Sequence, residues 1–109
     1  MMPNEPAAKE DGNLLRLSGL LTIEHAHKLQ EMLRGIIARG NPVFVSLAEV
    51  EDMDVAGLQI LFAARAEALG DNKKFVWTEI SSACYNNAAL AGMSRFLGFP
   101  ESTGSSSSG

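Results

Sequence analysis

The chain contains a single cysteine, Cys84, among 109 residues. One thiol cannot close an internal disulfide, so the fold must rest on its apolar core, and a reducing cytoplasm is the natural setting. Basic residues are scarce, with nine Lys and Arg against thirteen Asp and Glu and a formal charge of −4. Nucleic-acid binding needs a basic face that displaces phosphate counterions, so that class is set aside. No apolar run approaches the roughly 20 residues of a membrane span. The opening MMPNEPAAKEDGN has two prolines, three acids and no apolar segment, and is expected to be neither signal peptide nor anchor.

The vocabulary of catalysis is thin as well. No phosphate-binding GxxxxGK[ST], no GxSxG and no HExxH occurs. His25 and His27 stand two apart on a predicted helix, about 200° around its axis, and cannot share a metal without unwinding it. Cys84 has no base near it in sequence and reads as a small packed residue. Trp77 and the methionines read as packing. No enzyme, cofactor or metal is expected.

What the chain does have is 46% apolar residues in short, patterned runs. A folded part of about 90 residues buries roughly 60–65% of its unfolded surface, enough for one core. Residues 1–11 read as a flexible lead, 12–100 as one domain, and 101–109, ESTGSSSSG, as a flexible Ser/Gly tail. NLLRLSG (13–19) puts Leu15 and Leu17 on one strand face and Arg16 and Ser18 on the other. Gly19 breaks or bulges that strand before Leu20 and Leu21. Thr22 is a good N-cap for a helix from Ile23 to Gly40, whose apolar stripe is Ala26, Leu29, Leu33, Ile36 and Ile37. PVFVSL (42–47) reads as a strand buried on both faces.

A second helix from Gly57 carries Leu58, Leu61, Phe62 and Leu69 in helical register. KFVWTEI (74–80) follows as a strand. Ser81-Ser82 caps a last helix with Asn86, Leu90, Met93 and Leu97 roughly on one side. The order is ββαβαβα, and short connections favour parallel crossovers. The fold class is therefore α/β: a small single domain with a mixed, mostly parallel sheet of about four or five strands packed with amphipathic helices.

The stretch EDMDVAGLQIL (51–61) stands apart. Three carboxylates, Glu51, Asp52 and Asp54, lead into a small apolar helix start with no Ser, Thr, Lys or Cys. Asp54 is placed to accept from the N–H groups of Ala56 or Gly57, a cap that contributes about 1 kcal/mol relative to Ala and complements the helix dipole. Gly57 in a first turn costs about 1 kcal/mol against Ala. Either a partner comes close there, or the turn packs against its own neighbouring strand. Local physics leaves both open.

VFVSLAEVEDMDVAGLQIL resembles the signature segment of STAS domains, the fold of bacterial anti-sigma-factor antagonists. In that family a buried strand leads to an Asp, a phosphorylatable Ser or Thr, then Ser/Ala-Gly-Leu opening the second helix. Here Asp54, Ala56, Gly57 and Leu58 match, and Val55 stands where the hydroxyl should be. LSGLLTIEHAHKLQEML resembles the family's strand, Gly, strand and first helix. ALAGMSRFLGF resembles its closing helix, so the likeness covers residues 12 to 100. Ser46 stands where many relatives have an acid.

The resemblance implies a non-catalytic protein-interaction module of bacterial signal transduction, cytoplasmic and without cofactor. Its partner would be an anti-sigma kinase or a histidine-kinase assembly, the capture of which frees a sigma factor or another client. Val55 has no oxygen to accept phosphate, so docking would escape phosphorylation control at that site; Thr22 and Ser46 are the nearest other hydroxyls. The partner-binding surface implied is the loop 51–54 and first helical turn: Glu51, Asp52, Met53, Asp54, Val55, Ala56, Gly57, Leu58 and Gln59. Met53, Val55 and Leu58, if exposed together, would also suit a homodimer. The alternative is an accessory STAS subunit that binds the ATPase of a lipid-transport ABC assembly.

Overall fold

Alternation decides the central strands. In β2 (Leu14–Leu21), Leu15, Leu17 and Leu21 are buried while Arg16 is exposed. In β3 (Val43–Met53), Val43, Val45 and Leu47 face the same core. The computed structural model describes residues 5–99. It adds β1 (Ala7–Asp11), a 3-10 turn (Ile23–His25), α1 (Ala26–Arg39), α2 (Val55–Gly70), β4 (Phe75–Ile80), α3 (Ser82–Leu90) and the short α4 (Ser94–Leu97). The sheet order is β1-β2-β3-β4. β1 runs antiparallel to β2, and β2, β3 and β4 are mutually parallel. The α/β class, the mixed sheet and the ββαβαβ order are as expected.

The core forms where the inward leucines and valines of β2 and β3 meet Leu29, Leu33, Ile36 and Ile37 of α1 and Leu58, Leu61, Ala64 and Ala68 of α2. Small alanines on α2 let the helix lie close to the strands. The chain closes behind β4, where the Trp77 indole Nε1 donates to the Leu97 carbonyl at 2.7 Å. Phe75 and Phe99 stack edge-on against the same ring.

Several expectations need correction. The lead does not stay free: Ala7 to Asp11 pair residue by residue with Ser18 to Leu14. All five side chains of β1 are exposed, so no apolar pattern marks it. Of the two outcomes expected at Gly19, a break or a bulge, the structure has the bulge: at φ +85° it lies within one continuous strand. The first of the two leading strands is thus 7–11. β3 continues past Leu47 to Met53, so Glu51 and Asp52 are the end of a strand and not a loop.

Thr22 makes no side-chain cap. Phe62 and Leu69 face out, at 40% and 44% exposure, because the sheet takes the face of Leu58, Leu61, Ala64 and Ala68. The last helix breaks at Gly92, φ +70°, into α3 and α4. Cys84 and Ala88 pack inward there, and Leu90 is 87% exposed. Ser81 does cap α3, accepting from the Cys84 N–H at 3.2 Å. The tail at 101–109 lies outside the described residues.

Candidate partner-docking surface

At the C-terminal edge of the parallel strands two helical segments begin side by side, and Asp54 ties them together. Its Oδ1 accepts from the Gly57 N–H and its Oδ2 from the Ile23 N–H, each at 3.0 Å. Its own N–H donates to the Leu21 carbonyl at 3.3 Å, and its carbonyl accepts from Leu58 N–H at 3.1 Å. One residue thus satisfies orphan donors at the start of α2 and at the turn before α1. This second bond replaces the cap that Thr22 does not supply.

Gly57 answers the question left open by its cost. A Cβ there would lie 2.2 Å from the Leu21 carbonyl oxygen. The glycine is buried, and its bareness serves the approach of α2 to β2 rather than a partner. Met53 and Leu58 are also in the core, at 3% and 1% exposure. The apolar trio suggested for a homodimer is therefore reduced to Val55, which is 53% exposed.

Of the nine expected surface residues, Glu51, Asp52, Val55 and Gln59 are exposed and Asp54 and Ala56 half-buried. Asp52 is partly engaged, since its Oδ1 accepts from Met53 N–H at 2.9 Å and Asn87 Nδ2 at 3.0 Å. What the sequence missed lies on the turn before α1 that Asp54 holds. Ile23 is 65% exposed. With Ala26 and Gln30 of α1 and Ala56, Gln59 and Ile60 of α2 it lines an open groove of about 290 Å³. The groove continues between the helices past Leu33 and Ile37, with Arg34 and Glu67 on its rim. On a helical wheel Ile23 falls about 40° from Ile37, at the border of the apolar stripe, so no sequence signal marked it as outward-facing.

A family model described as "Mlab, STAS domain" matches residues 5–98. The chain belongs to the STAS domain family. The match starts ahead of β1, which accords with that strand's place in the sheet. Among solved structures, an anti-sigma factor antagonist from Mycobacterium paratuberculosis is similar over 91% of this chain and 86% of its own, with TM-score 0.70 and 23% identity. The anti-sigma factor antagonist SpoIIAA in its unphosphorylated form matches over 84% of each chain, with TM-score 0.63 and 12% identity. At such identities these likenesses establish the fold. No curated protein sequence matches this one.

Within this STAS domain the other hydroxyls and ligands are placed as follows. Ser46 is 4% exposed in the middle of β3, its Oγ 3.4 Å from Glu79 Oε1. Thr22 is half-buried beside the Asp54 junction. His27 lies 3.3 Å from Glu31 on the outer side of α1. Among the described residues no three His, Cys, Asp or Glu side chains gather as metal ligands. Burial pushes the Cys84 thiol above its ordinary pKa of 9.0, against the opposing pull of Ser81. It is neutral and enclosed.

Proposed function

We propose that this STAS domain is a non-catalytic docking module that engages a protein partner through the junction of Ile23 and the first turn of α2, without phosphorylation control at position 55. The observation that carries this is Val55 itself: 53% exposed at the first helical position, directly after the capping Asp54. Exposed apolar residues beside an open groove mark contact surfaces. No residue from 51 to 59 offers a hydroxyl. In the family pattern a phosphate at this point would add roughly −1.5 to −2 charge and break docking. Here the apolar contact is permanent. The partner by this reading is an anti-sigma kinase or a related signalling kinase, met in a bacterial cytoplasm.

A second reading is favoured by one specific observation. The matching family model is the Mlab type, which fits an accessory STAS subunit docked on the ATPase of a lipid-transport ABC assembly. Both readings use the same surface.

Incubation with anti-sigma kinases and labelled ATP tests the absence of a switch. The expected result is no phosphate within residues 51–59 of the native chain and incorporation in Val55→Ser. A Val55→Lys variant that captures the partner as well as the native chain does would overturn the proposal. The protein that co-purifies at native expression levels, a kinase or an ATPase, separates the two partners.

A further inference from the structure

α2 is apolar on both sides. Its inner face meets the sheet, yet of its eight exposed residues only Glu67 is charged. A helix that is apolar all round belongs inside a larger structure. The exposed face is also ordered by size. Val55, Phe62 and Leu69 recur every seven residues, nearly straight along the axis, and form a ridge at 53%, 40% and 44% exposure. Phe96 of α4 widens this ridge, 61% exposed with its ring edge-on to Phe62 at 6.3 Å. About 100° around α2, Ala56, Ala63 and Gly70 form a low row that opens into the α1–α2 groove. Gly70 has no neighbour within 4 Å of a Cβ position, so nothing within the described residues requires it to be bare.

We propose that this face is the interface of a dimer with a second copy of this chain, in which the Phe62/Phe96 ridge of each copy fills the α1–α2 groove of the other. Ridge and groove flank the same helix. A two-fold axis running parallel to α2 brings the ridge of one copy over the groove of its mate, twice. An antiparallel pairing would set ridge on ridge and leave both grooves open. The parallel arrangement is closed and self-complementary, as a two-fold interface requires.

Size supports the second copy. Sixteen residues make α2 about 24 Å long. A face two to three helices wide, at about 10 Å each, covers roughly 500–700 Å² per copy, the lower end of a standard interface. Other occupants within this chain fit poorly. The tail ESTGSSSSG offers no large apolar side chain to fill a groove. Glu5, where the described chain begins, is held 3.8 Å from Lys28, which lies about 160° around α1 from Gln30 of the groove. Gln59 and Ala66 face their own counterparts near the axis, so no charged row meets itself.

The dimer covers the groove beside Ile60 and Ala63, so self-association and partner docking compete. The test needs no partner, and its failure leaves the docking proposal standing. Sedimentation equilibrium over roughly 10–500 µM should show a reversible monomer–dimer transition, the behaviour of an interface of this size. Phe62→Lys and Phe96→Lys should each hold the protein monomeric at the top of that range with unchanged far-ultraviolet circular dichroism. Val76→Lys, on β4 and away from α2, should leave dimerisation intact. Under mild oxidation Ala66→Cys should form a disulfide with itself, Cys84 being enclosed. A native chain that stays monomeric overturns the proposal. So does a dimer that survives both lysine variants, or a dimer in which Ala66→Cys fails to cross-link.

Discussion

Asp54 and Gly57 divide the work at the start of α2: one supplies two acceptor oxygens, the other removes a side chain that would collide. The Leu21 carbonyl, 2.2 Å from a Cβ on Gly57, belongs to backbone that is itself bonded to the Asp54 N–H and cannot swing away. Gly57→Ala gains about 1 kcal/mol of helix propensity but forces α2 off β2. Overpacking of this kind costs about 1–3 kcal/mol. The expected net result is a lower urea midpoint with α2 displaced, read by equilibrium unfolding. A rise in midpoint would show that the turn can slide. The cap on Gly57 was legible because it spans three residues. The bond to Ile23 crosses 31 positions and no local pattern announces it.

At the scale of elements, β1 shows what amphipathicity cannot reveal. Its side chains are all exposed, and it is held by backbone pairing with β2 and by the Glu10–Arg39 ion pair. Sequence periodicity reads burial, and a strand that buries no side chain has none to read. Deleting residues 1–12 would strip that pairing and bare the N–H and C=O row of β2, an edge prone to pair with another chain. Such a truncation is expected to aggregate at concentrations where the whole protein stays clear, measured by light scattering. An unchanged scattering profile would show that β2 tolerates an open edge. α2 misled for the opposite reason. With apolar residues on every side, its sequence could not say which face meets the sheet; the face of Leu58 and Leu61 won, with Ala64 and Ala68 beside them allowing closer packing than Phe62 and Leu69 would.

At the scale of the whole molecule, one buried group ties stability to pH. The Cys84 thiol sits in the core between α3 and the sheet, with its pKa raised chiefly by desolvation and slightly by the charge of Asp52. The folded state therefore holds its proton to higher pH than the unfolded state does. Stability from this group is complete below 9.0 and falls as pH climbs from there through the higher folded value. Denaturant unfolding between about pH 8 and pH 10.5 should show this loss, and Cys84→Ala should flatten it. Equal slopes for both proteins would show that other groups dominate.

The sequence by itself determined what local chemistry can encode. The alternation of β2 and β3, the apolar stripe of α1, the caps at Asp54 and Ser81, and the hydrophobic replacement at Val55 all depend on residues within a few positions of one another. Charge balance, the single cysteine and the alternation of strands and helices after β2 likewise needed no coordinates. Only the tertiary structure decided the purpose of Gly57, the membership of β1 in the sheet, the burial of Met53 and Leu58, and the joining of Ile23 to Asp54 across two helix starts. Each of these depends on which distant segment arrives as a neighbour, and that is fixed when the sheet assembles and the helices settle on it.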